Sequence, residues 1–220
     1  MMYSRAINIG FLLILLIIPD IHSQYSESDW KARDKWMKVA EIFQIASIQV
    51  GNEVADIGCH EGYISIRLAD FIGETGKVYS VDVREDRLNK LNDIASKRGI
   101  RNIQTILGDY DDPKLEENSI DVVLIIDAYH EMNDYKQILF HVKKALKPHG
   151  RILILEKLKR QKIGKSRQEQ TMGHTIAPKY VENELKEAGF EVIAIEKDLG
   201  YWEEDPDKMI WVMVGVLPES

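Results

Sequence analysis

Residues 54–62 read VADIGCHEG. They set a carboxylate, Asp56, near the end of an apolar run and follow it with glycines at 58 and 62. Glycines in such a loop let the backbone come close to a ligand. A loop for a diphosphate would read G-x-G-x-x-G, with the phosphates on a helix N-terminus. Here Cys59, His60 and Glu61 fill the interval, and Glu61 and Asp56 carry the wrong sign for phosphate. Carboxylates suit a cationic ligand instead, one bearing an amino group or a sulfonium. His60 stands where a further glycine would be expected. Histidine tolerates left-handed backbone better than β-branched residues do, so the loop is expected to keep its ligand, with the imidazole beside it as a bystander.

Two further clusters could do chemistry. Asp82 ends the apolar run KVYSVDV, 20 residues after Gly62, where a carboxylate can accept hydrogen bonds from both hydroxyls of a ribose. The stretch IIDAYHEM ends a third apolar run and gathers Asp127, Tyr129, His130 and Glu131. His130 is the best general-base candidate there, because imidazole titrates near neutral pH, and Glu131 is its neighbour. His174, in TMGHTIAP, could also reach a substrate. No metal site is expected: there is no H-x-x-x-H pair, and Cys59 is the single cysteine.

The elements that must hold these residues alternate. EVADI, KVYSVDV, IQTIL, IDVVLII and RILILE read as strands, with helical apolar spacing after Gly62, from Leu88 to Ala95 and from Tyr135 to Leu146. Continuous apolar strands in βα units imply a parallel sheet covered on both faces. A helix is expected from Asp29, with Trp36, Val39, Ile42, Phe43 and Ala46 on one side. Residues 157–176 read as a polar, basic loop or lid. PKYVENELKEAGF follows as a helix, then FEVIAIEKDLGYW and KMIWVMVGV as a hairpin around DPD.

The 220 residues are 45% hydrophobic and 30% charged, which suits one folded domain with a real core. A net charge of -7 makes nucleic acid an unfavourable partner. Residues 7–18, INIGFLLILLII, follow Arg5 and resemble the apolar core of a secretory signal. The expected division is a signal peptide or N-terminal membrane anchor at 1–24 and one domain at 25–220, with export or membrane association through the N-terminus. Without use of that segment the location would be cytoplasmic. Nothing in the sequence specifies the oligomeric state.

Taken in order, these segments resemble the class I S-adenosylmethionine-dependent methyltransferases. The family's first motif, an acid followed by G-x-G-x-G, falls on Asp56, Gly58, His60 and Gly62, with the middle glycine replaced. Its ribose acid falls on Asp82, next to Val83. Its adenine-contacting pair falls on Gly108 and Asp109, with Tyr110 placed to stack beside the base, and its fourth-strand motif falls on IDAYHEM, where Asp127 would face the cofactor. LKPHGRILI matches the turn into the fifth strand, with His149 for a glycine. The resemblance implies a Rossmann-like α/β fold with a seven-stranded, mostly parallel sheet, helices on both faces and an antiparallel last strand. It further implies S-adenosyl-L-methionine as cofactor and a small-molecule methyl acceptor. His130 and Glu131 are the residues expected to act on that acceptor. The competing readings are a cofactor-binding regulator without catalysis and, less favoured, a nicotinamide oxidoreductase.

Overall fold

A computed structural model describes residues 26–218. The proposed leader at 1–24 lies outside them, and no helix among the described residues is long and apolar enough to cross a membrane.

The strands are β1 (Glu53–Ile57), β2 (Lys77–Asp82), β3 (Ile103–Leu107), β4 (Ile120–Ile126), β5 (Leu146–Lys159), β6 (Glu191–Tyr201) and β7 (Lys208–Val216). The helices are α1 (Trp30–Arg33), α2 (Val39–Ile45), α3 (Tyr63–Ile72), α4 (Glu85–Arg98), α5 (Tyr135–Ala145), α6 (Arg167–Thr171) and α7 (Pro178–Glu187). One sheet runs in the order β3-β2-β1-β4-β5-β7-β6. β1 to β5 pair in parallel, and β7 lies antiparallel between β5 and β6, as the resemblance implies.

Strand alternation divides the core between the two faces. Val54, Val122, Leu124, Leu153 and Val212 pack with α2, α3 and α4. Ala55, Val123, Ile125, Ile154 and Met213 pack with α5 and α7. Because the order reverses between β1 and β4, the loops after these strands diverge and leave a crevice at their carboxyl ends.

Two expectations need correction. The single helix from Asp29 is broken into α1 and α2, because Lys38 takes a non-helical backbone and the intervening turn is used for packing. Trp36 stacks on Trp202 with centroids 4.6 Å apart, and Met37 is buried. The basic stretch from 157 is not a loop throughout: β5 continues to Lys159, and Lys157 and Leu158 are buried there.

Gly62 supports the turn into α3 with φ 87°, and a Cβ there would lie 2.2 Å from Leu91 Cδ1, itself fully buried. Gly62→Ala should therefore destabilise the fold by about 2–5 kcal/mol, summing backbone strain and overpacking. Urea unfolding measures this, and a loss below about 1 kcal/mol would show that the Leu91 contact yields freely.

Candidate active site

The loops after β1, β2, β3 and β4 enclose a cavity of about 310 Å³, at the small end of the range for small-molecule sites. Gly58 forms its floor at φ 81°. A Cβ at this position would sit 2.5 Å from the Ala128 Cβ, so only glycine fits between the first and fourth loops. His60 adopts φ 51°, the left-handed backbone expected of a glycine position. Its backbone N–H donates to Asp82 Oδ2 at 2.9 Å, and the Arg84 N–H donates to Asp82 Oδ1 at 2.9 Å. The Asp82 carboxylate thus ties the first loop to the end of β2. Of its roughly four acceptor positions, about two remain for a ligand. Burial raises its pKa, against the opposing effect of those two N–H bonds.

The His60 side chain lines the cavity. Burial first, and then the Arg87 charge, lower its pKa to about 4, so the imidazole is neutral at neutral pH. Glu61 is different from the expectation. It is buried away from the cavity lining and held by Arg87 at 2.5 Å and Lys90 at 2.8 Å. Its charge is met within the protein, so in the first two loops the carboxylates of the cavity lining are Asp56 and Asp82.

Asp56 is buried and accepts from Ser65 Oγ at 2.6 Å, and Ser65 accepts from Ser80 Oγ at 2.8 Å. Burial raises its pKa to about 6, with Ser65 and Arg33 opposing and Asp82 reinforcing the rise. Arg33, from α1, lines the same cavity. It is 6% exposed, with its guanidinium 4.2 Å from the Tyr63 ring centroid and 5.4 Å from that of Trp202. Sequence reasoning missed this residue, because in WKARDKWMK it is one cation of a basic run. Its burial follows from the α1–α2 break, which seats it among Trp36, Tyr63 and Trp202.

At the other end, Asp109 and Tyr110 line the cavity, as does Val83. The Asp109 N–H closes a turn on Asp112 O at 2.8 Å, and its carboxylate pairs with Lys114 at 3.0 Å. Tyr110 is 76% exposed, a ring open to stacking. Gly108 and Gly62 shape the cavity without lining it. A Cβ on Gly108 would meet Val81 Cγ1 at 2.9 Å, so glycine lets this turn close on β2.

After β4, Asp127, Ala128, Glu131 and Met132 reach the cavity, whereas His130 and Tyr129 do not. Tyr129 is buried and donates to Glu184 Oε2 at 2.9 Å, which turns it toward α7. His130 is buried behind the rim. Its Nδ1 lies 2.9 Å from Glu156 Oε2, and its backbone N–H donates to Glu156 Oε1 at 3.0 Å. Burial lowers its pKa, but the Glu156 charge and hydrogen bond outweigh that and raise it overall. Asp127, at φ 53°, pairs with the buried Lys157 ammonium. His174 is brought to this rim, with Nδ1 3.4 Å from Glu131 Oε1. Tyr180, in α7, donates to Lys165 O at 2.8 Å.

Comparison with known proteins identifies the family. Residues 48–203 match a family model described as a methyltransferase domain. A demethylmenaquinone methyltransferase of Bacillus mycoides is 29% identical over 129 residues, 59% of this chain and 54% of the relative. One from Listeria monocytogenes serotype 4a is 28% identical over 140 residues, 64% of this chain and 58% of the relative, so the chain spans little more than half of either protein. The crystal structure of a SAM-dependent methyltransferase from Aquifex aeolicus superposes with TM-score 0.72 at 20% identity, covering 87% of this chain and 98% of the other. Phosphoethanolamine N-methyltransferase 2 of Haemonchus contortus, in complex with S-adenosyl-L-methionine, superposes at 0.69 with 17% identity, covering 90% and 59%. A family match over most of the chain, on a sheet whose last strand inserts antiparallel beside the fifth, makes the descent plain: this chain belongs to the class I S-adenosylmethionine-dependent methyltransferases.

Proposed function

We propose that the chain transfers a methyl group from S-adenosyl-L-methionine to a small aromatic or lipophilic acceptor of the quinol or phenol type. The observation that carries this is a single cavity with a complementary donor set: Asp82 at one wall, Asp109 and Tyr110 at one end, Asp56 and Arg33 at the other. In this reading Asp82 accepts the two ribose hydroxyls with its remaining lone pairs. Asp109 and Tyr110 take the edge and face of the adenine. Arg33 meets the carboxylate of the methionine part, and Asp56 meets its positive charge. Gly58 gives the backbone clearance, and neutral His60 adds no cationic repulsion against a sulfonium.

The bound cofactor supplies an electrophilic methyl carbon on a sulfonium. Glu131 and Met132, with the Ile138 side chain, form the wall on which an acceptor would lie. This wall would orient an acceptor toward the bound cofactor and keep water from between them. Glu131, or solvent, would receive the proton that the acceptor gives up on methylation. The names of the two curated relatives support a quinol-like acceptor.

The test is calorimetric titration with S-adenosylmethionine and its demethylated product at several pH values. Asp56 has a raised pKa, so its proton is held by the folded protein up to about pH 6. That contributes stability fully present below the unfolded value, 3.8, and lost as pH rises through about 6. A cationic ligand favours the carboxylate, so binding releases this proton. Asp82, whose pKa is also raised by burial, acts in the same direction; the Arg33 charge opposes the rise at Asp56, and the Arg84 and Arg87 charges oppose it at Asp82. Affinity for S-adenosylmethionine should then rise by about tenfold from about pH 5 to about pH 7, with up to about one proton released at the acid end. No binding of either compound at neutral pH would overturn the proposed function. Binding without pH dependence would remove Asp56 from it.

A further inference from the structure

We propose that His130, Glu131 and His174 form a binding site for one divalent transition-metal ion of the zinc type at the mouth of the cavity. The three side chains come from separate places. His130 and Glu131 lie in the turn after β4, and His174 lies in the segment between α6 and α7. One ligand atom from each lies within 4.8 Å of the other two. His130 Nε2 is 3.7 Å from Glu131 Oε1, and His174 Nδ1 is 3.4 Å from the same oxygen. A tetrahedral ion at about 2.1 Å from each ligand holds those ligands about 3.4 Å apart, so the set closes on an ion with small side-chain motions.

The buried half of the cluster is organised as a metal-ligating histidine requires. His130 directs Nδ1 at Glu156, 2.9 Å from Oε2 and 3.0 Å from Oε1, and Glu156 is fully buried. A carboxylate on one ring nitrogen places the proton there and leaves the other nitrogen, Nε2, as the lone-pair donor facing Glu131 and His174. The His174 segment is fixed in place. Gly173 O accepts from Lys159 Nζ at 2.7 Å, the His174 N–H donates to Thr171 O at 2.9 Å, and the Ala177 N–H donates to Gln170 Oε1 at 2.7 Å. These contacts hold His174 at φ 51°, a left-handed backbone that a non-glycine residue adopts only under such constraint. A second grouping, Asp127, His130 and Glu156, is a poorer site, because the Lys157 ammonium already sits on Asp127.

Three protein ligands leave one position open, the arrangement of a catalytic rather than a structural zinc site. Glu131 lines the cavity, so the open position faces the region assigned above to the methyl acceptor. An acceptor hydroxyl taken there would be acidified by the ion and would lose its proton to solvent. That last assignment rests on the methyltransferase reading; the metal site itself does not.

The experiment is titration of the untagged full chain, stripped with a chelator, with Zn2+ by calorimetry and with Co2+ by visible absorption. One ion per chain and the d–d bands of low-coordinate Co2+ are expected. His174→Ala changes an exposed side chain and should fold. It and Glu131→Gln should each weaken Zn2+ by about 10–100-fold or more, while His149→Ala, remote from the cluster, should not. Absence of Co2+ bands, or Zn2+ affinity untouched by His174→Ala, would overturn the proposal. S-adenosylmethionine titrated into the same samples separates the two readings: cofactor binding without metal binding overturns this site alone, and metal binding without cofactor binding overturns the proposed function alone.

Discussion

Asp82→Ala is expected to weaken binding of S-adenosylmethionine by about 100-fold or more, since hydrogen bonds to a charged group are each worth about 1.5–3 kcal/mol and two are lost. The same loss is expected for the demethylated product, because the ribose is common to both. The carboxylate has a second duty. It accepts from the His60 and Arg84 backbone N–H groups, so its removal also frees the first loop from β2. Asp82→Asn separates the two effects, because an amide oxygen still accepts one backbone bond while the charge is gone. Calorimetry on both variants, with thermal unfolding alongside, measures this. An affinity within about threefold of the parent in Asp82→Ala would place the ribose elsewhere, because lost charged hydrogen bonds cannot cost so little.

The parts of this site that could be read from sequence are those fixed by local rules. Asp56 and Asp82 end apolar strands, and the carboxyl ends of parallel strands are where ligands sit. β1 and β4 occur where EVADI and IDVVLII are written, because a strand buried on both faces is a continuous apolar run. His60 was legible as a left-handed position because glycine's neighbours in the loop demand one. What could not be read depends on tertiary partners. Lys157 stands in a basic run, KLKRQK, that suggests a solvated loop, yet β5 carries it inward against Asp127. Arg33 is drawn in only because the first helix breaks and delivers it to Tyr63 and Trp202. His130 carries the type and position of a base, but Glu156, far along the chain, turns its ring away from the cavity lining. His174 meets Glu131 across an even longer stretch of chain, so no spacing motif announces that cluster.

The Asp127–Lys157 pair offers the largest expected effect on stability. Both side chains are almost completely buried, at 1% and 7% exposure, and Lys157 also lies 4.5 Å from the Trp202 ring centroid. A buried ion pair adds little over an apolar replacement of both partners, but removing one partner leaves the other charge with less compensation. Lys157→Met should therefore cost about 3–5 kcal/mol, and Asp127→Asn with Lys157→Met together should recover most of it. The loss of the Trp202 contact is the same in the single lysine variant and the double variant, so the cycle isolates the ion pair. Urea unfolding of the four proteins gives the coupling. If the double variant is as unstable as the sum of the singles, the pair does not act as a unit, and the Asp127 backbone at φ 53° must be held by something else. If the coupling is large, the functional consequence follows from position. Asp127 begins the turn that carries Glu131 and Met132 to the cavity wall, and Lys157 anchors that turn to β5. The double variant should then fold and bind S-adenosylmethionine with little change, since Asp82, Asp56 and Arg33 are untouched. Its methyl transfer should fall, because the acceptor wall has lost the charge pair that sets its angle.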